Sequence, residues 1–204
     1  LGYPEPATEQ GPTLLQFWQG AWIAALAVGA LTWGLIFWAI IVYRRRTGEG
    51  APVQTRYNLP IEILYTVAPA IMIGALFVFT AKDQAEIMKL TPDQKNTVEV
   101  VGFKWNWGFN YESDNAFETG TPNKVAELWL PVNERTRFQL VSPDVIHSFW
   151  VPSFLFKMDV VPGRLNQFEL TPNKIGTFEG KCAELCGTYH SDMLFTVHVV
   201  SRAD

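Results

Sequence analysis

Hydrophobic and polar positions follow two different patterns along this chain, and the change comes near Lys82. From about Leu14 to Tyr43 the side chains are almost all apolar. Between Phe17 and Val42 none is charged, and only Gln19 and Thr32 are clearly polar. A helix needs roughly 20 apolar residues to cross a hydrocarbon core of about 30 Å, so this run predicts one tilted span. A second run, IEILYTVAPAIMIGALFVFTA from Ile61 to Ala81, is interrupted only by Glu62 and Pro69. Proline is tolerated in a spanning helix when neighbours satisfy the freed carbonyl. A buried core helix is the plainer reading of either run alone. Two such runs flanking an arginine cluster predict a transmembrane helical hairpin at 14–81, with a polar loop at 44–59. Residues 1–13, with three prolines in the first twelve, predict an irregular surface arm.

After Ala81–Leu90, read as helical or irregular, TPDQKN marks a turn. From Thr97 the period becomes two. Phe138 and Leu140 alternate with Arg137 and Gln139, and Phe168 and Leu170 with Gln167 and Glu169. Phe195, Val197 and Val199 alternate with Thr196 and His198. Short alternating strands punctuated by TPN (twice), LPVNE, VSPD and VPGR predict an all-β sandwich or barrel at 82–204. His198 falls on the polar face of the last strand and reads as a solvated surface residue. No repeat or low-complexity segment interrupts this organisation.

Charge orients the hairpin. The loop carries Arg44, Arg45, Arg46 and Arg56 against Glu49, whereas the amino-terminal arm carries Glu5 and Glu9 and no base. Positive loops stay inside, so both termini and the β-domain are expected outside. The chain begins at Leu1 without a basic n-region, which fits a signal segment already removed. The β-domain holds twelve basic and sixteen acidic residues, a net −4, and the first 81 residues are neutral. An acidic external head argues against nucleic acid and suits a basic protein partner.

The chemistry concentrates in CAELCGTYHSDM, which places Cys182, Cys186, His190 and Met193 within twelve residues. Thiolate, imidazole and thioether together are donors that copper selects. A single-copper electron-transfer site uses one cysteine, two histidines and a distant methionine. The additional cysteine here suggests two metals sharing two thiolates. His147, in SPDVIHSFWVP, is the candidate second histidine. In an oxidising compartment two cysteines ordinarily mean a disulfide. Zinc is disfavoured, because methionine is a poor zinc ligand and the histidine interval fits no zinc-finger spacing. The company of both histidines and Met193 argues against the disulfide.

CAELCGTYHSDM, with DVIHSFWVP and PGRLNQFEL before it and KWNWGFNY earlier, closely resembles cytochrome c oxidase subunit II, over nearly the whole chain. The resemblance implies a cupredoxin-like Greek-key β-barrel carried on a membrane hairpin. It implies a dinuclear mixed-valence copper centre held by His147, Cys182, the Glu184 backbone carbonyl, Cys186, His190 and Met193. It makes the Glu184 side chain a ligand to magnesium at the boundary with subunit I. Quinol-oxidising relatives lose the copper ligands, and every one is present here. Two thiolate bridges let one unpaired electron spread over both coppers, so reduction changes each metal's geometry little. No residue reads as a nucleophile or general base, which places oxygen reduction, coupled to proton pumping, in another subunit.

Three further residues follow from the same resemblance. Trp105, first of the tryptophans in KWNWGFNY, becomes the point where electrons arrive from cytochrome c, with Trp107 as packing. The plainer reading of a β-domain tryptophan is a core or interface anchor. Asp144 becomes a cytochrome docking residue, and the acidic Glu112, Asp114 and Glu118 could add steering. Glu62, in LPIEILYTVAP, becomes the cytoplasmic mouth of a proton path into subunit I; the plainer reading is a carboxylate reaching the interface. The expected setting is a bacterial plasma or mitochondrial inner membrane, in complex with subunit I and other oxidase subunits. Two other classes remain: a membrane-anchored copper chaperone, which needs an exposed exchangeable site, and a disulfide-stapled adhesion domain, which bound copper excludes.

Overall fold

In the computed structural model residues 2–48 and 50–203 are described. Glu49, the acid of the inter-helix loop, lies outside the described residues, as do the terminal Leu1 and Asp204 of the outer segments. The chain forms two compact bodies. One contains Gln16–Asp83; the other joins the residues up to Leu15 with those from Gln84 onward.

The first body is made of two helices, α1 (Gly11–Val42) and α2 (Leu59–Ile87). At 1.5 Å per residue they are about 48 Å and about 43 Å long, beyond a hydrocarbon core of about 30 Å. The most apolar stretch of each has none of its residues buried. Apolar faces left open in this way call for lipid or a partner rather than water. Helix α2 continues through Ile87, within the Ala81–Leu90 stretch read as helical or irregular, because Lys82–Ile87 contains no helix breaker. Its start is capped: Asn58 Oδ1 accepts the Ile61 N–H at 3.5 Å, and Glu62 Oε1 accepts the Asn58 N–H at 2.8 Å. Such reciprocal bonds satisfy donors that a helix start leaves unpaired.

Among the described residues the second body is a β-sandwich of ten strands. One sheet contains β1 (Thr97–Phe103), β2 (Asn106–Tyr111), β3 (Ala116–Thr119), β5 (Thr136–Val141) and β8 (Asn166–Leu170), in the order β3-β2-β1-β5-β8. The other contains β4 (Ala126–Pro131), β6 (His147–Val151), β7 (Phe156–Val160), β9 (Gly176–Cys182) and β10 (Leu194–Val200), in the order β4-β10-β9-β6-β7. Strand β1 runs parallel to β5, and β10 parallel to β4; the other pairs are antiparallel. The inner faces meet in an aromatic core. Phe149 stacks on Phe195 at 4.9 Å and Phe138 on Phe168 at 4.8 Å.

Period two accounts for β10, whose Phe195, Val197 and Val199 are buried between half-buried neighbours. It fails at β8, where Glu169 was expected on the polar face and is completely buried. Its carboxylate accepts the Thr91 N–H and hydroxyl and the Arg137 guanidinium at 2.8–3.1 Å, and Arg135 Nε stands 2.8 Å away. Arg137 also donates to the Thr91 carbonyl. His198 is half-buried rather than solvated: its cross-strand neighbour Trp129 stacks on the ring at 4.3 Å. The amino-terminal arm is irregular, as its prolines require, but Ala7 and Thr8 are buried. The Ala7 N–H donates to Ser153 O and the Glu9 N–H to Thr171 O, while Ala7 O accepts the Asn173 N–H.

Candidate metal centre

Strands β9 and β10 are antiparallel neighbours joined by residues 183–193. The Cys182 N–H closes the base of this loop on Met193 O at 3.0 Å, and the Ala183 N–H ties it to Ser148 O on β6 at 3.0 Å. A single 3₁₀ turn, His190–Asp192, returns the chain to β10. The loop is thereby folded against the start of β6, where His147 sits.

The donors converge there. Cys182 Sγ lies 3.9 Å from His147 Nδ1, 3.9 Å from Cys186 Sγ and 3.2 Å from Glu184 O. Cys186 Sγ lies 3.6 Å from His190 Nδ1 and 3.7 Å from Met193 Sδ. The ligand atoms of His147, Cys182 and Cys186 all fall within 4.8 Å of one another. His147, both cysteines and Met193 are buried, and the cysteines are free. A thioether and two unbonded thiols closed off from water, each beside an imidazole nitrogen, form a donor set that fits copper.

The same crowding sets the charges. Burial pushes the Cys182 thiol up, but His147, the Glu184 and Ser148 backbone and His190 outweigh it and leave the thiol well below its usual range. Burial and the neighbouring Cys182 charge push Cys186 in the opposite direction. Burial disfavours the His147 imidazolium, yet Cys182 and Asp144 raise its pKa above the usual value. Two thiolates this close resist ionising together unless a cation lies between them.

The other anticipated residues fall in different places. Trp105 lies in the turn between β1 and β2, and its indole N–H donates to Cys186 O at 3.1 Å. Gly187, at φ +118°, passes beneath it; a Cβ there would stand 3.1 Å from Trp105 Nε1. Trp107 is in the core, and its indole N–H points to Met193 O at 3.3 Å. Asp144 Oδ1 lies 2.9 Å from His147 Nε2. The Glu184 side chain is exposed, and only its backbone carbonyl meets the sulfurs. Glu62 belongs to the helical body and caps α2. Sequence reasoning missed the bond between Asp144 and His147, although their spacing of three residues was the available signal. It also missed Tyr189, whose exposed ring meets the Trp105 indole edge-on at 5.1 Å.

The family model for the periplasmic domain of cytochrome c oxidase subunit II matches residues 96–200, which span the sandwich and all these donors. The chain belongs to the cytochrome c oxidase subunit II family. A probable cytochrome c oxidase subunit 2 of Streptomyces avermitilis is 48% identical over 240 residues, covering 98% of this chain and 75% of the relative. Cytochrome c oxidase subunit 2 of Mycobacterium tuberculosis H37Rv is 34% identical, covering all of this chain and 72% of the relative. The crystal structure of the periplasmic domain of subunit II of cytochrome oxidase of Bradyrhizobium japonicum is 32% identical, with a TM-score of 0.51 over 56% of this chain and 90% of that one. As a subunit II chain it is part of an oxidoreductase complex. Its fold is two apolar helices followed by a cupredoxin-like β-domain.

Proposed function

We propose that this chain is the electron-accepting subunit of a respiratory cytochrome c oxidase. It receives electrons from cytochrome c at a dinuclear copper centre and passes them to a haem of subunit I, where oxygen is reduced to water and protons are pumped. The observation that carries this reading is the convergence of buried Cys182, Cys186, His147 and Met193 with half-buried His190 and the Glu184 carbonyl in one loop and one strand end. Held there by the thiolates of Cys182 and Cys186 with His147, His190 and Met193, copper would supply one-electron chemistry. The protein contributes position, exclusion of water and a route. The Trp105 indole, bonded to the carbonyl of Cys186, gives that route a covalent continuation to a ligand sulfur.

Further roles belong to the same proposal. The Glu184 side chain faces outward, as a magnesium shared with subunit I requires. Glu62, beside the arginine-bearing loop, marks a proton inlet on the inner side. Arg44–Arg46 and Arg56 support an inside position for that loop and, with it, a copper domain on the external side of the membrane. Asp144 is a candidate for cytochrome docking. A copper chaperone is disfavoured by the burial of the ligands. A disulfide-stapled domain is disfavoured by the 3.9 Å separating two sulfurs that a bond would hold at about 2.05 Å.

Electron paramagnetic resonance of the copper-loaded full chain, followed by reduction with cytochrome c, tests the reading. The wild type should bind two coppers and give a mixed-valence spectrum. Cys186→Ser should localise the unpaired electron on one copper. Glu184→Gln should leave the copper spectrum intact, because its donor is a backbone atom. Trp105→Ala should retain the spectrum while electron transfer from bound cytochrome falls about 100-fold, a loss of about 2.7 kcal/mol in barrier terms. One copper per chain, or an unchanged Cys186→Ser spectrum, would overturn the dinuclear assignment.

A further inference from the structure

Both oxygens of the Asp144 carboxylate are engaged by groups of the fold. Oδ1 accepts the Val145 N–H at 2.6 Å and meets His147 Nε2 at 2.9 Å. Oδ2 accepts the Lys104 N–H at 2.7 Å, and the Ser142 hydroxyl stands 3.4 Å from Oδ1. The carboxylate charge is used inside the fold.

The imidazole it touches is fully buried and fixed on its other sides. The Trp107 ring meets it edge-to-face at 6.2 Å, and Gly102 is so close that a Cβ would lie 3.3 Å from His147 Cβ and Cδ2. A carboxylate at Nε2 holds a proton on that nitrogen, so in the neutral ring the Nδ1 lone pair is directed at Cys182 Sγ. Lys104, whose amide shares the same carboxylate, directly precedes Trp105. His190 differs: among the described residues no carboxylate hydrogen-bonds to it.

We propose that Asp144 is a positioning residue whose carboxylate fixes the orientation and tautomer of His147 toward the metal and ties that ring to the turn bearing Trp105. This deepens the copper reading and rests on it. A ligand imidazole backed by a carboxylate is held in place and made a stronger donor. The two histidines of the centre are therefore unequal, with the firmer donor on the Cys182 side. A single side chain also fixes the distance between the electron-accepting tryptophan and one metal ligand.

The full chain in detergent, with Asp144→Asn and Asp144→Ala, tests this. Asn is nearly isosteric, but its single acceptor oxygen cannot serve both His147 and Lys104. The chain has only three histidines, so nitrogen-15 histidine spectra of the metal-free protein at mildly alkaline pH can be assigned by substitution. The wild type should show His147 protonated on Nε2, and Asp144→Ala should show mixed tautomers. Copper release to a chelator from the loaded chain should quicken about 10- to 100-fold in Asp144→Ala and less in Asp144→Asn. If Asp144→Ala does not fold, the Asn variant decides by the same two measurements. A wild-type tautomer together with wild-type copper retention in the folded variants would overturn the proposal. So would a change confined to the salt dependence of cytochrome association, which would return Asp144 to docking alone. If the wild type takes up no copper, the copper reading fails, and the tautomer spectra still decide what Asp144 does to His147.

Discussion

At the scale of single residues, sequence spacing grouped side chains that the fold also brings together, and it said little about what supports them. Cys182, Cys186, His190 and Met193 could be read together because they share one loop, and their side chains do converge. His147 came from a distant strand and entered only as the histidine the set still needed. The hydrogen bonds behind these donors were not legible, because they depend on which way a ring or carboxylate turns inside the fold. Glu62 shows the same ambiguity, for its carboxylate caps α2 whatever else it does. Glu62→Gln keeps an oxygen able to accept the Asn58 N–H but cannot carry a proton. If Glu62 is a proton inlet, this variant should slow steady-state oxidase turnover about tenfold or more, equivalent to about 1.4 kcal/mol, and leave electron transfer into the copper centre unchanged. Stopped-flow absorbance separates the two steps. Equal rates in variant and wild type would leave Glu62 as a helix cap.

At the scale of elements, periodicity located the helices and strands, and the departures have physical causes. Between the helical and irregular readings of the segment after Ala81, the helix formers there decide for helix as far as Ile87. Strand β8 broke alternation because Glu169 is buried with Thr91, Arg135 and Arg137 around it. Alternation reports which face a residue occupies, and it cannot foresee a charge cluster that covers the outer face. This cluster fastens the segment after α2 to the sandwich, so its loss should be costly. Removing one partner of a buried pair typically costs about 3–5 kcal/mol, and Glu169→Gln belongs near about 3 because both arginines reach water. Burial raises the Glu169 pKa, but the bonds from Thr91 and Arg137 and the charge of Arg135 outweigh it and lower it from 4.5. A depressed carboxylate stabilises fully above its unfolded pKa, and that stabilisation disappears as pH falls through the folded value. Urea unfolding of the wild type should therefore weaken as the pH drops below about 4.5, with a smaller drop in Glu169→Gln. Parallel pH profiles for the two proteins would show that the cluster contributes no such linkage.

At the scale of the whole molecule, the β-body is assembled from two separate stretches of chain, with the helical pair between them. The prolines predicted an irregular surface arm, and only the fold reveals Ser153, Thr171 and Asn173 as its partners. Parity follows from this. Ala7–Glu9 share hydrogen bonds with the sandwich, so a chain that crosses a bilayer between Gln16 and Asp83 must cross it an even number of times. Two apolar helices satisfy that count and one does not. Impermeant thiol labelling of intact cells should modify Pro4→Cys and Asp114→Cys alike, and Ala51→Cys only after permeabilisation; a protected Pro4→Cys beside a labelled Asp114→Cys would break the parity. Biogenesis inherits a sequence of events from the same join. On the proposed topology the head is exported in two instalments, and the arm meets its sandwich partners only once the loops around Ser153 and Thr171 have followed it through.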